Sequence, residues 1–232
     1  MSEVVFSGFP EAGLQFLEAL TQNNNKAWFE AHKEAYRSHV LEPAISFVTA
    51  LGMRLQAISP HICVDPRTSG SGVLMRIYRD TRFSQDKTPY KTNVSGLFWQ
   101  GSGKKTEHPA FGFQLDQEGM RLMAGQFVFS KAQLLAYRNA VMDDQLGLRL
   151  LDATTAVTQS GNYEIMGQHY KRIPQGYDAA HKRASWLLYN GLYAHPGRFI
   201  GLETVTTPEI VDICMQHFRK MAPVQQWLVT VL

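Results

Sequence analysis

From Val73 to Val128 the chain carries two-residue alternation and turn residues with no helical segment between them. Val73, Met75 and Ile77 alternate with Leu74, Arg76 and Tyr78, and Asn93 to Trp99 reads as a second strand. Phe111, Phe113 and Leu115 share one side of Ala110–Asp116. Gln117-Glu118-Gly119 then supplies a turn, and Met120 to Val128 returns as the partner strand. Successive strand residues face opposite sides, so each stretch has one apolar face to bury. Parallel neighbours would need a crossover of a dozen or more residues, usually a helix, and no such segment lies within residues 73–128. These stretches therefore predict an α+β fold. Its mostly antiparallel sheet takes residues about 73–128 plus later short strands, packed with N-terminal and C-terminal helices.

The flanks read as helical. Pro10 opens a helix whose face is Leu14, Phe16, Leu17 and Leu20, and Asn23-Asn24-Asn25 stops it and caps the next. Trp28, Phe29, His32, Tyr36 and Val40 recur at helical spacing, which marks them as core. Pro43 is expected to interrupt, with a further helix from Ile45 to Leu55. Ser130 caps a long helix reaching Leu150, with Gln133 in the capping-box position. Beyond a turn at residues 158–163, Tyr170–Ile173 is expected as a strand, followed by a helix from about Asp178 through Leu187. Phe199–Val205 is expected as another strand. Thr207-Pro208-Glu209 starts a final helix that Pro223 should break. No repeat or linker divides the chain, so residues 1–232 are expected to form one domain.

Composition narrows the class. Hydrophobic residues make up 44% of the chain, enough for a packed core. No stretch approaches the apolar length of a membrane span, and the start lacks a signal-peptide pattern, so a cytoplasmic protein without a membrane partner is expected. Cys63 and Cys214 stand far apart in no metal or redox spacing, which fits free thiols. The histidines are scattered, with no HExxH, so neither a metal site nor a cofactor is expected. The glycine-rich stretch 65–72 reads as a plain linker, because no Gly-Lys-Ser/Thr follows it. The loop 100–107 reads as mobile.

Net charge is +3, but its distribution is uneven. Residues 67–105 hold eight Lys or Arg against Asp80 and Asp86, a net +6, so the remainder sums to −3. The densest part runs from Arg76 to Lys91. Arg76, Arg79, Arg82, Lys87 and Lys91 would hold an anion there, since guanidinium forks grip phosphate or carboxylate in pairs of hydrogen bonds. Asp80 would orient an arginine or act as a base, and Tyr90 would donate a hydrogen bond. An anionic small molecule, phosphorylated or carboxylated, is the expected partner. A plainer reading pairs Arg76 with Asp80, or Arg82 with Asp86, as a structural clasp in an interaction protein. A nucleic acid is the alternative partner. A second basic group, Lys171, Arg172, Lys182 and Arg183, would extend a groove in which Tyr78, Phe83, Tyr90 and Trp99 stack on bases.

Arg76, Arg79, Asp80, Arg82, Phe83, Asp86, Lys87, Tyr90 and Lys91 fit, without a gap, the signature Arg-x-x-Arg-Asp-x-Arg-Phe followed by Lys and Tyr. On these residues the chain resembles the bacterial and fungal family catalogued as domain of unknown function 2461. Asn24 to Phe29, the Phe111–Phe127 hairpin and Arg172 to Tyr177 extend the likeness over most of the chain. The resemblance implies a single-domain protein of this length and carries no activity with it.

Overall fold

The computed structural model describes residues 6–68 and 71–232. The expectation about the chain's start, and Ser69-Gly70 of the glycine-rich stretch, lie outside the described residues. Four helical segments lead: α1 (Glu11–Gln22), α2 (Lys26–Ala31), α3 (Lys33–Tyr36) and α4 (Glu42–Leu55). Asn25 caps α2, its side-chain oxygen accepting from the Trp28 amide. Arg37–Leu41 forms a π-helical turn that joins α3 to α4, so Pro43 does not interrupt. The wider turn already shifts the hydrogen-bond ladder just where proline lacks a donor.

The sheet has five antiparallel strands in the order β1-β2-β3-β5-β4, which makes the fold α+β. They are β1 (Val94–Trp99), β2 (Ala110–Asp116), β3 (Gly119–Gln126), β4 (Tyr163–Gln168) and β5 (Tyr189–Pro196). Ala124 of β3 pairs with Ala194 of β5, and Ile165 of β4 pairs with Ala194 from the other side. Between β3 and β4 lie α5 (Lys131–Met142) and α6 (Asp144–Gln159). The chain then ends in α7 (Leu202–Val205) and α8 (Ile210–Val231).

Contacts group the chain into two compact units. One takes in the described residues up to Phe98, with Gly112–Arg121 and Phe199–Met215; the other holds Trp99–Phe111, Leu122–Arg198 and Gln216–Leu232. In the first unit Phe16, Leu17, Leu20, Phe29 and Val40 form a buried cluster that Ile77 and Tyr90 enter from outside the helices. In the second, the Tyr137 hydroxyl donates to the Trp186 carbonyl at 3.0 Å and the Trp227 indole donates to Leu146 at 2.9 Å. Phe111 meets Phe218 edge-on at 5.2 Å.

Several expectations need correction. Residues 73–80 do not form a strand: only Leu74 and Tyr78 make isolated bridges, to Gly96 and Tyr90. The helix expected from Ser130 to Leu150 is two, because Asp143 caps a new one and accepts from the Gln145 and Leu146 amides. The Ser130–Gln133 capping box is formed. Strand β4 precedes the expected Tyr170–Ile173, and the expected helix ahead of β5 shrinks to a 3-10 turn over Ala184–Leu188. Phe199–Val205 holds one bridge, Ile200 to Met120, and then the short helix α7. Pro223 lies inside α8 without ending it, since Met221, Ala222, Val224 and Leu228 are all buried. That burial outweighs the one lost backbone bond. The 100–107 loop closes on a 3-10 turn over Lys105–Glu107.

Candidate functional site

The charged segment is a pinned loop. Arg79 N donates to Pro89 O at 2.9 Å and Lys91 N to Ile77 O at 2.8 Å, on either side of the Tyr78–Tyr90 bridge. Such a pair turns the backbone groups of Tyr90 away from Tyr78, and Asn24 takes both. Tyr90 N donates to Asn24 Oδ1 at 3.0 Å, and Asn24 Nδ2 donates to Tyr90 O at 2.9 Å. The Tyr90 ring is buried and stacks on Phe29 at 4.1 Å with an 18° tilt. The base of the loop is thus fixed to the helical core while residues 80–88 project.

Inside the loop, acids and cations pair locally. Asp80 accepts from Arg82 Nε at 2.9 Å and Nη2 at 2.7 Å. Asp86 accepts from the Thr88 amide at 2.9 Å and hydroxyl at 2.8 Å, and Arg79 reaches both Asp86 and Thr88. Lys87 Nζ donates to the Thr81 carbonyl at 2.9 Å. The pairings are therefore Arg82 with Asp80 and Arg79 with Asp86, not those the spacing first put forward. Hydrogen bonds from Arg82 hold the Asp80 carboxyl at about 2, and bonds from Arg79 and Thr88 do the same for Asp86. Folded values below the ordinary carboxylate range mean both contributions are present above that range and fade as pH falls through about 2.

Two cations are left over. Among the described residues, neither Arg76 nor the Lys91 ammonium has an ion-pair or side-chain hydrogen-bond partner. Burial lowers the Lys91 pKa, and the neighbouring positive charge of Arg76 lowers it further. Lys91 is half-buried and lines a hollow of about 380 Å³. Thr21, Asn24, Arg79, Asp86, Thr88, Tyr90, Thr92 and Asn93 complete its lining. Of the sequence-selected residues, the structure brings Arg79, Tyr90 and Lys91 to this hollow. Arg76, Asp80, Arg82 and Lys87 are not in its lining.

Sequence reading passed over Thr21, Asn24, Thr88, Thr92 and Asn93. Asn24 had left a signal: one asparagine caps α2, and three stand in a row. The stacking set is also corrected, because Tyr90 and Trp99 are buried while Tyr78 and Phe83 are exposed. Of the second basic group, Arg183 is fully buried, whereas Lys171, Arg172 and Lys182 are exposed.

The Asp80–Arg82 pair sits in solvent, with side chains 49% and 76% exposed. Exposed pairs contribute little to stability. Asp80→Asn should therefore leave the melting temperature unchanged when followed by circular dichroism. A drop of several degrees would instead make this pair a support of the fold.

No group of three or more His, Cys, Asp or Glu able to hold a metal occurs among the described residues. No helix among them is long and apolar enough to cross a membrane. Cys63 and Cys214 are both free thiols. The fold and the pinned cationic loop thus describe an α+β protein with a polar hollow beside one unpaired lysine. The chain belongs to the conserved hypothetical family DUF2461, whose model matches residues 12–227. No curated protein and no solved structure matches it.

Proposed function

We propose that the protein binds a small anionic molecule, phosphorylated or carboxylated, in the hollow beside Lys91. The observation that carries this reading is the Lys91 ammonium, which lines the hollow with no ion-pair or side-chain hydrogen-bond partner among the described residues. Arg76 and Lys91 repel each other, and Lys91 is half-buried with no acid paired to it, since Asp86 in the same lining is held by Arg79 and Thr88. A buried cation without a counter-charge is costly, and an incoming anion removes that cost. Arg79 adds a guanidinium already oriented by Asp86 and Thr88, with donors to spare. Thr92 and Asn93 offer uncharged donors and acceptors beside the charge.

Titration calorimetry with inorganic phosphate tests it. Lys91→Met and Arg79→Ala should each weaken binding about tenfold or more, the value of a charge-assisted hydrogen bond. Asp80→Asn should leave the affinity as it was. Equal affinity in all of these variants would sink the reading.

A nucleic acid is the second reading, favoured by Phe83 at the loop tip. Its ring is 96% exposed, with the Arg82 guanidinium 5.8 Å away. Aromatic and cationic side chains together suit an unpaired base and its phosphate. Binding to a single-stranded oligonucleotide would then fall steeply with salt and weaken in Phe83→Ala. Phosphate binding that ignores Phe83→Ala, with no oligonucleotide bound at low salt, would leave only the first reading.

A further inference from the structure

We infer that Lys91 is a nucleophilic amine, and that the hollow takes a small carbonyl compound bearing an acidic group, which Lys91 binds as an imine. This rests on the anion-binding reading and names the substrate class for the same hollow. The surroundings that leave Lys91 open to an anion also ease the loss of its proton. Lys91 is half-buried, it lines the hollow, its cationic neighbour is Arg76, and no acid pairs with it among the described residues. Burial and the Arg76 charge both raise the share of free amine, the form that attacks carbonyl carbon, and the hollow gives that amine room for a ligand.

Placement serves the same chemistry. The Lys91 backbone amide is bonded to Ile77 O at 2.8 Å, and the preceding Tyr90 is held at both backbone groups by Asn24. The amine therefore extends from a fixed point, which is what orientation of a nucleophile requires. Arg79, which lines the hollow and is oriented by Asp86 and Thr88, is placed to hold the acidic group of the substrate. The Thr92 hydroxyl and Asn93 amide line the hollow and have no hydrogen-bond partner among the described residues, so either is free to hold the carbonyl oxygen.

In the step itself, the Lys91 ammonium first gives a proton to solvent water. The nitrogen lone pair then forms a C–N bond while the carbonyl π pair moves to oxygen. A proton passes from nitrogen to that oxygen, giving a carbinolamine. A proton returned by solvent water joins the hydroxyl, which leaves as water, and the nitrogen lone pair closes the C=N bond. The sum is ammonium plus carbonyl compound giving a protonated imine plus water, with no oxidant or reductant.

Glyoxylate with cyanoborohydride tests this on the full chain, because the reductant traps an imine as a stable carboxymethyl-lysine that peptide mass mapping locates. Lys91 should be labelled about tenfold faster than the exposed Lys26 and Lys171, the advantage of a held reactant over one met by collision. Inorganic phosphate should slow labelling at Lys91 and not at Lys26 or Lys171. Lys91→Arg should lose the fast label while Lys26 and Lys171 label as before. If Lys91 labels no faster than Lys26 and Lys171 while phosphate still binds, the nucleophile is overturned and the anion site stands. Loss of both phosphate binding and fast labelling in the wild-type protein overturns both readings.

Discussion

Replacing Arg183 by alanine is expected to lower stability by about 3–5 kcal/mol, the combined cost of stranded acceptors and of the cavity left by a fully buried side chain. The guanidinium is fully buried. Its Nε donates to the Val141 carbonyl at 2.7 Å, and Nη2 donates to Met142 and Asp143 at 3.1 and 3.2 Å. Those carbonyls end α5, where the last turn has no intrahelical donors left. A positive charge there also meets the negative end of the helix. Asp144, at 3.3 Å, is 98% exposed and adds little. Alanine would strand the buried Val141 carbonyl and leave those of Met142 and Asp143 without their donors at a part-buried helix end. Lysine would recover only part of the loss, because one ammonium cannot span three acceptors that a planar fork reaches together. The surroundings leave no slack: a Cβ at Gly147 would fall on the Val141 carbonyl and the Arg183 guanidinium. Urea denaturation of Arg183→Ala, Arg183→Lys and Asp144→Ala checks the order. A loss below about 1 kcal/mol for Arg183→Ala would mean that water enters and satisfies the helix end, reducing the effect to that of one ordinary hydrogen bond.

Arg183 also shows where sequence reading stops. Lys182-Arg183 looks like any solvated basic pair, and the carbonyls that bury it lie about forty residues earlier in the chain. Only tertiary structure separates a helix-capping arginine from a surface one. The legible features were those decided within a few residues. Ser130 and Gln133 satisfy each other's backbone at the start of α5. The β2–β3 turn at Gln117–Gly119 follows from Gly119, whose φ of 136° few other residues adopt. Strand β5 escaped because Tyr189–Pro196 contains Asn, Gly, His and Pro, and its pairing with β3 and β4 carries it despite that composition. The stretch 73–80 erred the other way. Its alternation is real, with Ile77 buried between exposed Arg76 and Tyr78, but the alternation serves an irregular strap held by single bridges.

The charged loop was half legible for the same reason. Its density of cations marked a special segment, yet spacing alone allowed several pairings. The outcome was set by two local turns: Asp80 faces the Arg82 amide at 3.3 Å, and Asp86 faces the Thr88 amide at 2.9 Å. Both are side-chain-to-backbone bonds over two residues, the Asx geometry that aspartate favours in turns. Once each acid is committed to its own turn, its hydrogen-bonded partner is the arginine beside that turn, and Arg76 acts on Asp80 only through its charge. Arg76 and Lys91 lie outside those turns, and this is why they are the cations left over.

Tyr90→Ala is expected to cost about 3–5 kcal/mol, as for other large aromatic residues removed from a core. The ring is 3% exposed and belongs to the cluster of Phe16, Leu17, Leu20, Phe29, Val40 and Ile77. It stacks on Phe29 and tilts against Tyr78 at 5.4 Å. Offset aromatic contacts add to what area burial alone contributes. The consequence reaches function because Lys91 follows directly and depends on the same anchorage. Without the ring, the Asn24 bonds to the Tyr90 backbone would have to hold the strap alone, and phosphate affinity should fall together with stability. Tyr90→Phe separates the two roles. It keeps the ring, so the urea midpoint should stay close to wild type, and any loss of phosphate affinity then belongs to the hydroxyl. Asn24→Ala should mimic the alanine variant in affinity but not in full in stability, since it removes backbone partners and leaves the stack. If Tyr90→Ala melts like the wild type and binds phosphate equally well, the Arg79–Asp86–Thr88 bonds must hold the loop by themselves, and the aromatic base is not what positions Lys91.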